Sequence, residues 1–344
     1  MSLQEQIDDL ITPAAGLGGL SADRAMLTLA LRLGTEGGKR FRPWLFTTVH
    51  DRLRRPGLAP RADTVDRVAA ALELVHTAFV IHDDVIDNDD MRRGRTSVPG
   101  LFGASDPALG SNYSRAGGIL TGDLALVAAV RGLATCGATG SVTDALLELL
   151  DATMHDSAAG ELGDVRMALD DQLPGLAEAL AVTELKTAAY SFVLPMQAGA
   201  ILGEAEPGAI AQVGEVGRML GNAFQLRDDL LGTFGDEATI GKDPLGDLRE
   251  GKRTPLIVHA SRTRHWWRIE PHLGDSTIGP TEGERVRRAL LEAGSVDFIE
   301  GLIDEYVRRA RTLAEPLGLD ACIVDRLSIG GRTLAQPADD VGVA

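Results

Sequence analysis

The sequence predicts an all-α fold, on three observations. Its long apolar runs carry helical spacing and break at Gly, Pro and polar clusters. No stretch alternates apolar and polar residues as a half-buried strand does. Neither a GxGxxG turn nor a Walker loop is present. With 344 residues, 44% of them apolar, the chain can bury a substantial core as one large domain or two. A formal net charge of −16 excludes a general nucleic-acid-binding role, which needs a basic footprint, while carboxylates are what a divalent metal site requires. Cys136 and Cys322 form no CxxC pair, so neither a disulfide framework nor a zinc site is expected, and a reducing cytoplasm fits. The N-terminus lacks a basic n-region and an apolar h-region, and no uncharged run reaches the ~18 residues of a spanning helix. The expectation is neither secretion nor a membrane-spanning segment.

Taken in order, residues 1–32 have helical spacing, interrupted at Pro13 and at the glycines between 16 and 19. Gly37-Gly38-Lys39-Arg40-Phe41-Arg42-Pro43 follows. Two glycines let the backbone approach an anion, and Lys39 and Arg42, three apart at a helix start, can point the same way toward it. The alternative is a helix entry with exposed charges. After a Pro-containing loop at 55–63, residues 65–87 read as a helix. His76 lies seven residues before Asp83, hence on nearly the same face, either as a core histidine or as a ligand.

That helix ends in Ile81-His82-Asp83-Asp84-Val85-Ile86-Asp87, and Arg92-Arg93-Gly94-Arg95 comes soon after. Asp83, Asp84 and Asp87 project from one end of one face. Crowding like charges there is unfavourable unless a cation sits between them. Mg²⁺ takes oxygen ligands and characteristically combines one or two carboxylates with substrate phosphates. The planar donor forks of the arginines suit phosphate oxygens. The alternative is a solvated acidic helix end followed by a basic loop.

Residues 97–118, rich in Gly, Pro and Ser, read as a loop of about twenty residues, a functional lid or a disordered segment. Helices are expected at 119–133 and 142–168. On the second, Glu161 and Asp164 read as groups supporting a site or, in preference, as ordinary surface charges. Residues 180–202 form an apolar helix with a kink expected at Pro195, and Lys186 and Thr187 sit about two turns before it. A second acidic block, Gln225-Leu226-Arg227-Asp228-Asp229-Leu230-Leu231-Gly232, ends an apolar helix that begins near Ile210. The loop from Gly241 to Thr254 carries Lys242 and Lys252. From Pro255 the chain is helical with polar loops, and a frayed tail is expected after Gly330. Of the 34 basic residues only four are lysine, namely Lys39, Lys186, Lys242 and Lys252, each in a context suited to an anion. Lysine is a compact charge on a flexible stem, fit for a phosphate that changes position; chance retention is the alternative.

Two acidic blocks more than a hundred residues apart, each ending an apolar helix and preceded by Gly37 to Pro43, resemble the trans-isoprenyl diphosphate synthases, the polyprenyl synthetase family. The resemblance runs from about Gly37 to Thr254. It implies a single-domain antiparallel helix bundle around a deep central cavity, usually a homodimer, with three Mg²⁺ ions bridging the two acidic motifs and an allylic diphosphate. By motif, Asp83, Asp84, Asp87, Asp228 and Asp229 resemble the metal ligands. Lys39, Arg42, His76 and Arg93 resemble the isopentenyl diphosphate site, and Arg92, Lys186, Thr187, Gln225, Lys242 and Lys252 the allylic diphosphate contacts. The implied reaction is a 1'-4 condensation. Gly232 stands where the family pattern has a third Asp, and Asp236 is a weak substitute. Position 78 is the small Ala78, where farnesyl-making relatives place aromatic bulk, and Phe79 follows it. With no insertion between Asp83 and Asp87, this resembles geranylgeranyl diphosphate synthases and predicts a C20 product; a farnesyl or longer-chain synthase is the alternative. A class I terpene cyclase or a squalene-type synthase needs no Lys39, Arg42 and His76 set, and an inactive partner subunit of a heteromeric synthase needs no intact acidic motifs.

Overall fold

The computed structural model describes residues 2–12, 20–58, 61–92, 94–235 and 245–327. The expected break at Pro13 to Gly19 and the tail after Gly330 lie outside them, as do Arg93, Asp236 and Lys242. The described residues are helical apart from turns and one two-residue antiparallel ladder, in agreement with the expected all-α class. The chain divides into two compact units, Met1–Leu150 with Ala198–Ala205 and Asp151–Gln197 with Glu206–Ala344.

The first unit contains α1 (Leu3–Ile11), α2 (Ser21–Thr35), α3 (Phe41–Leu53), α4 (Ala62–Ile86), the strands β1 (Met91–Arg92) and β2 (Arg95–Thr96), α5 (Val98–Ser105) and α6 (Gly110–Ala134). Helix α1 starts with a capping box, in which Ser2 Oγ accepts from Glu5 N–H and Glu5 accepts from Ser2 N–H. Helix α4 is the central element, with Leu72, Leu74, Val75, Ala78 and Ile81 all buried. Its main neighbour is α6, which presents glycines to it. A Cβ on Gly118 would lie 2.3 Å from Val85, and one on Gly122 would lie 2.2 Å from His82 Nε2. With any larger residue at either position the Val85 or His82 side chain would have to move.

The long loop expected at 97–118 is not there. Ser97 caps α5 by accepting from Gly100 N–H, Pro99 lies in the first turn, where its missing donor costs nothing, and Pro107 opens a 3₁₀ turn leading into α6. The glycines that suggested a loop serve packing. A Cβ on Gly100 would fall 2.3 Å from the Asp90 carbonyl oxygen, and one on Gly117 would fall 2.2 Å from the Phe102 ring. Residues 107–134 are long and apolar enough by composition to cross a membrane, but half of the apolar 18-residue window within them is buried in the protein.

The second unit takes the chain from within α7 (Gly140–Leu169) through α8 (Leu176–Thr183), a π-helix at Glu184–Val193 and the start of α9 (Leu194–Leu202). It resumes with α10 (Pro207–Phe234), α11 (Gly246–Arg249), α12 (Pro255–Ala260), α13 (Pro280–Glu292) and α14 (Ser295–Ala314). The disturbance expected at Pro195 appears as the π-helix just before it. Proline has no N–H for the fourth carbonyl back and its ring crowds that turn, so the turn widens, and Leu194 N–H donates to Ala189 O. Helix α10 packs against the π-helix and α14. Pro207 sits at its first position.

Candidate active site

Each unit carries one of the acidic helix ends. In the first, α4 closes at Asp87, whose N–H donates to Asp83 O at 2.8 Å, and Asn88 then turns left-handed at φ +58°. Asp89 N–H donates to Asp84 O at 2.8 Å, the bond that characterises a Schellman stop. The β1–β2 hairpin, with Arg92 opposite Arg95, folds back along this end. Arg92 thereby spans two carboxylates: Nη2 donates to Asp83 Oδ2 at 2.7 Å and Nε donates to Asp84 Oδ1. Burial pushes the Asp84 carboxyl up to about 6, while the Arg92 charge and its hydrogen bond pull it down. Burial also works against the charge on Arg92, but Asp83 and Asp84 overcome it and raise its pKa.

Next to this lies the glycine–lysine segment. Gly37 and Gly38 both have φ +78°, a conformation that favours glycine. Lys39 is exposed, and Arg42, at the second position of α3, is half-buried, as are His76 and Asp87 on α4. The sequence reading gave Arg40 no role, yet it ties the segment down. At φ +50° it donates to Glu73 Oε1 at 2.9 Å, to Thr35 O at 2.9 Å and to Gln4 Oε1 at 2.7 Å. Glu73 is buried and lies one helical turn before His76. A polar residue among the alanines and leucines of α4 was the available signal.

In the second unit the expected residues also meet. Thr187 Oγ1 donates to Gln225 Oε1 at 2.8 Å, and Gln225 Nε2 donates to Asp229 Oδ1 at 2.8 Å, so the hydroxyl orients the amide and the amide orients the carboxylate. Close contact between α10 and the π-helix makes this possible, since a Cβ on Gly221 would lie 2.4 Å from Ala188 Cβ. Burial raises the Asp229 carboxyl well above the usual range, the Gln225 bond lowers it, and the Asp247, Asp228 and Asp164 charges raise it further. Asp228 is exposed.

Glu161 and Asp164 are not the free surface charges expected in preference. Both are half-buried, and both accept from Lys186 Nζ, at 3.0 and 2.8 Å. The physical reason is Gly160, which brings α7 against the backbone of Lys186: a Cβ there would lie 2.3 Å from Lys186 N. Lys252 Nζ lies 2.7 Å from Glu250 Oε2 and 3.6 Å from Asp247 Oδ1.

The donor set fits a hard divalent cation. In each unit taken by itself, Asp83, Asp84 and Asp87 in the first and Asp228 and Asp229 in the second, the side chains offer oxygen and no soft ligand, and in the first the Arg92 guanidinium already places positive charge between Asp83 and Asp84. Among the described residues no three His, Cys, Asp or Glu side chains converge as a metal cage. An ion sharing its ligands with water and phosphate needs no such cage.

Comparison with known proteins gives this chemistry a family. The family model described as polyprenyl synthetase matches residues 24–283. A geranylfarnesyl diphosphate synthase of Aeropyrum pernix is 31% identical over 303 residues, 83% of this chain and 85% of that protein. A short chain isoprenyl diphosphate synthase of Methanothermobacter thermautotrophicus is 32% identical over 318 residues, 92% and 88% of the two. Among solved structures, a geranylgeranyl pyrophosphate synthase from Corynebacterium glutamicum, complexed with isoprenyl diphosphate and magnesium, superposes with a TM-score of 0.83 at 26% identity, over 94% of each chain. With a family match across most of the chain and relatives at this identity over most of their length, the chain belongs to the polyprenyl synthetase family and is a prenyltransferase.

Proposed function

We propose that this enzyme is a Mg²⁺-dependent trans-prenyltransferase that condenses isopentenyl diphosphate with an allylic diphosphate, with geranylgeranyl diphosphate (C20) as main product. The observation that carries the reading is Arg92 held across Asp83 and Asp84. Carboxylates at a helix end gather a cation, and a guanidinium can exchange carboxylate oxygens for phosphate oxygens. Asp83, Asp84, Asp87, Asp228 and Asp229 are the proposed metal ligands, for three ions on the family pattern. Mg²⁺, when bound, would neutralise the diphosphate and favour its departure.

Arg92, Lys186, Thr187, Gln225, Lys242 and Lys252 hold the allylic diphosphate in this reading, and Lys39, Arg42, His76 and Arg93 hold isopentenyl diphosphate. Breaking the allylic C–O bond leaves a carbocation and a diphosphate. Charge on the leaving group is stabilised by lysine and arginine already in place. The double bond of isopentenyl diphosphate attacks the cation, and loss of a proton to the departed diphosphate restores a double bond. The Thr187–Gln225–Asp229 relay keeps one carboxylate aimed throughout. Both units belong to one catalytic domain in this account.

The C20 assignment rests on the small residue at position 78. Ala78 is fully buried and Phe79 keeps part of its surface, so Phe79 is the cleaner probe. A geranylgeranyl diphosphate synthase of Methanosarcina mazei is 29% identical, in keeping with this product but not distinguishing it from the C25 relative. Incubation with isopentenyl diphosphate and C5, C10 and C15 starters, followed by product sizing, tests it. C20 should dominate, and Phe79→Ala should lengthen the product. A C15 product from wild type, or no change in the variant, overturns the assignment.

The enzyme is further proposed to be a cytoplasmic homodimer. Cys136 and Cys322 form no disulfide, as a reducing compartment allows. Helix α6 buries one side and exposes Ile119, Leu120, Leu124, Val127 and Val130 along the other. A continuous apolar stripe of this kind suits a second copy of the same helix.

A further inference from the structure

The chain as a whole carries a net charge of −16, yet the connection between α12 and α13 inverts that sign. Residues 261–272 set Arg262, Arg264 and Arg268 against Glu270, and they hold Trp266 and Trp267, two of the three tryptophans of the chain. They fold as two short 3₁₀ turns, Trp266–Arg268 and Glu270–His272, with Ile269 fully buried between them. That anchor fixes the outer side of the connection, where Trp267 is 72% exposed. Tryptophan is on average highly buried, so an indole held in water on an anchored turn is the unusual observation.

Trp267 does not stand alone. Helix α13 packs against the same turn and adds Leu291, 53% exposed, together with the exposed Arg288. Glu292 ties the two elements: it pairs with Arg268 and lies 3.8 Å from His265 Nδ1, while Arg264 Nε donates to His265 Nε2 at 3.3 Å. The Arg268 hydrogen bond holds the Glu292 carboxyl below its usual range, and the charges of Arg268, His265 and Arg288 add to this. Four arginines thus meet two glutamates on this patch, and Arg262 and Arg264 remain exposed. The segment then returns to the lysine-bearing loop, where Gly274 N–H donates to Leu248 O at 2.7 Å and Arg249 Nη2 donates to Ile278 O at 3.0 Å.

We propose that Trp267 and Leu291, ringed by Arg262, Arg264, Arg268 and Arg288, form a docking surface for an anionic lipid bilayer. Guanidinium forks suit headgroup phosphates, and an indole rests at the boundary between headgroups and acyl chains. An acidic protein would be drawn by the same arginines but has no use for the exposed indole. The product of the reaction read above, an anionic diphosphate on a long hydrocarbon tail, is itself a lipid and leaves water for a bilayer. The nature of that product rests on the functional reading, whereas the patch is independent of it. One indole and a few arginines give a peripheral contact that salt weakens.

The full chain, without substrates, is sedimented with vesicles of phosphatidylcholine alone and with vesicles containing about one-third phosphatidylglycerol. Binding to the anionic vesicles should be at least ~10-fold tighter than to the neutral ones, and most of it should vanish in about 0.5 M NaCl. Arg264→Glu, a change of two charges, should weaken it roughly thirtyfold, and Trp267→Ala about tenfold. Both side chains already face water in the free protein, so both variants should keep the wild-type Tm. Tryptophan emission should shift to the blue on anionic vesicles, and Trp267→Phe should abolish the shift although Trp44 and Trp266 remain. No binding, equal binding to both vesicles, or wild-type affinity in Trp267→Ala overturns the proposal; loss in Arg264→Glu alone would assign the patch to an acidic protein instead. An enzyme that condenses its substrates but ignores vesicles overturns this proposal only, and vesicle binding without condensation overturns the functional reading and leaves the docking surface standing.

Discussion

Gly160→Ala should unseat Lys186 without touching a charged group. The added Cβ would lie 2.3 Å from Lys186 N, 2.6 Å from Leu185 C and 2.8 Å from Leu185 Cβ. Ordinary carbon contacts begin near 3.5 Å, so α7 and the π-helix must part by about 1 Å. The nearest obstacles are backbone atoms, which cannot turn aside as a side chain can. Overpacking of this kind costs ~1–3 kcal/mol, and alanine's better helix propensity returns up to ~1 kcal/mol. A net loss of ~1–2 kcal/mol corresponds to a fall in Tm of about 1–3 °C for a chain of this size. The same displacement stretches the bonds from Lys186 Nζ to Glu161 and Asp164, now 3.0 and 2.8 Å, past hydrogen-bonding range. Thermal melts and steady-state kinetics with each diphosphate varied separately should show the Tm fall and a roughly tenfold loss on the allylic side. Gly301→Ala in α14 is the control, since its Cβ meets nothing within 4 Å; it should be neutral or stabilising. A Gly160→Ala enzyme with wild-type Tm and kinetics would refute the packing argument.

Three further outcomes are expected. Asp84→Asn and Asp229→Asn should each lower turnover at least ~10²-fold, the scale of losing a major electrostatic stabiliser; near-normal turnover in either removes that residue from the site. Because the Asp84 carboxyl is raised to about 6, Mg²⁺ binding that needs its charge should weaken as pH falls from 7 to 5. In EDTA the sign reverses: Asp84 stabilises the fold below its unfolded pKa, and that stability is lost as pH rises through about 6, so melts in the two conditions should diverge with pH. Val127→Glu, at the middle of the exposed α6 stripe, should shift the chain from dimer to monomer in sedimentation, whereas an unchanged mass would place the contact elsewhere.

What could be read from the sequence followed from local rules. The carboxylates ending α4 and α10 and the lysine-bearing segments were visible, as was a disturbance at Pro195, expected as a kink and seen as a π-helix just before it, because helical spacing and missing donors act over a few residues. Long-range partners were not. Glu161 and Asp164 looked like surface charge because their partner, Lys186, lies more than twenty residues away, and only the bare Gly160 hinted at a close crossing. The approach of Asp247 to Gly232 was hidden for the same reason. The segment at 97–118 misled through composition, since Gly, Pro and Ser mark loops on average. Here they cap helices and allow them to pack closely.

The measurement that bears most directly on the account counts two products in one tube. Purified enzyme is given Mg²⁺, labelled isopentenyl diphosphate and an allylic starter, and released pyrophosphate is compared with label incorporated into longer chains. The account predicts one pyrophosphate per isopentenyl unit incorporated, with both falling to background in EDTA. Pyrophosphate released from the allylic substrate without incorporation, as a cyclase would give, would contradict it.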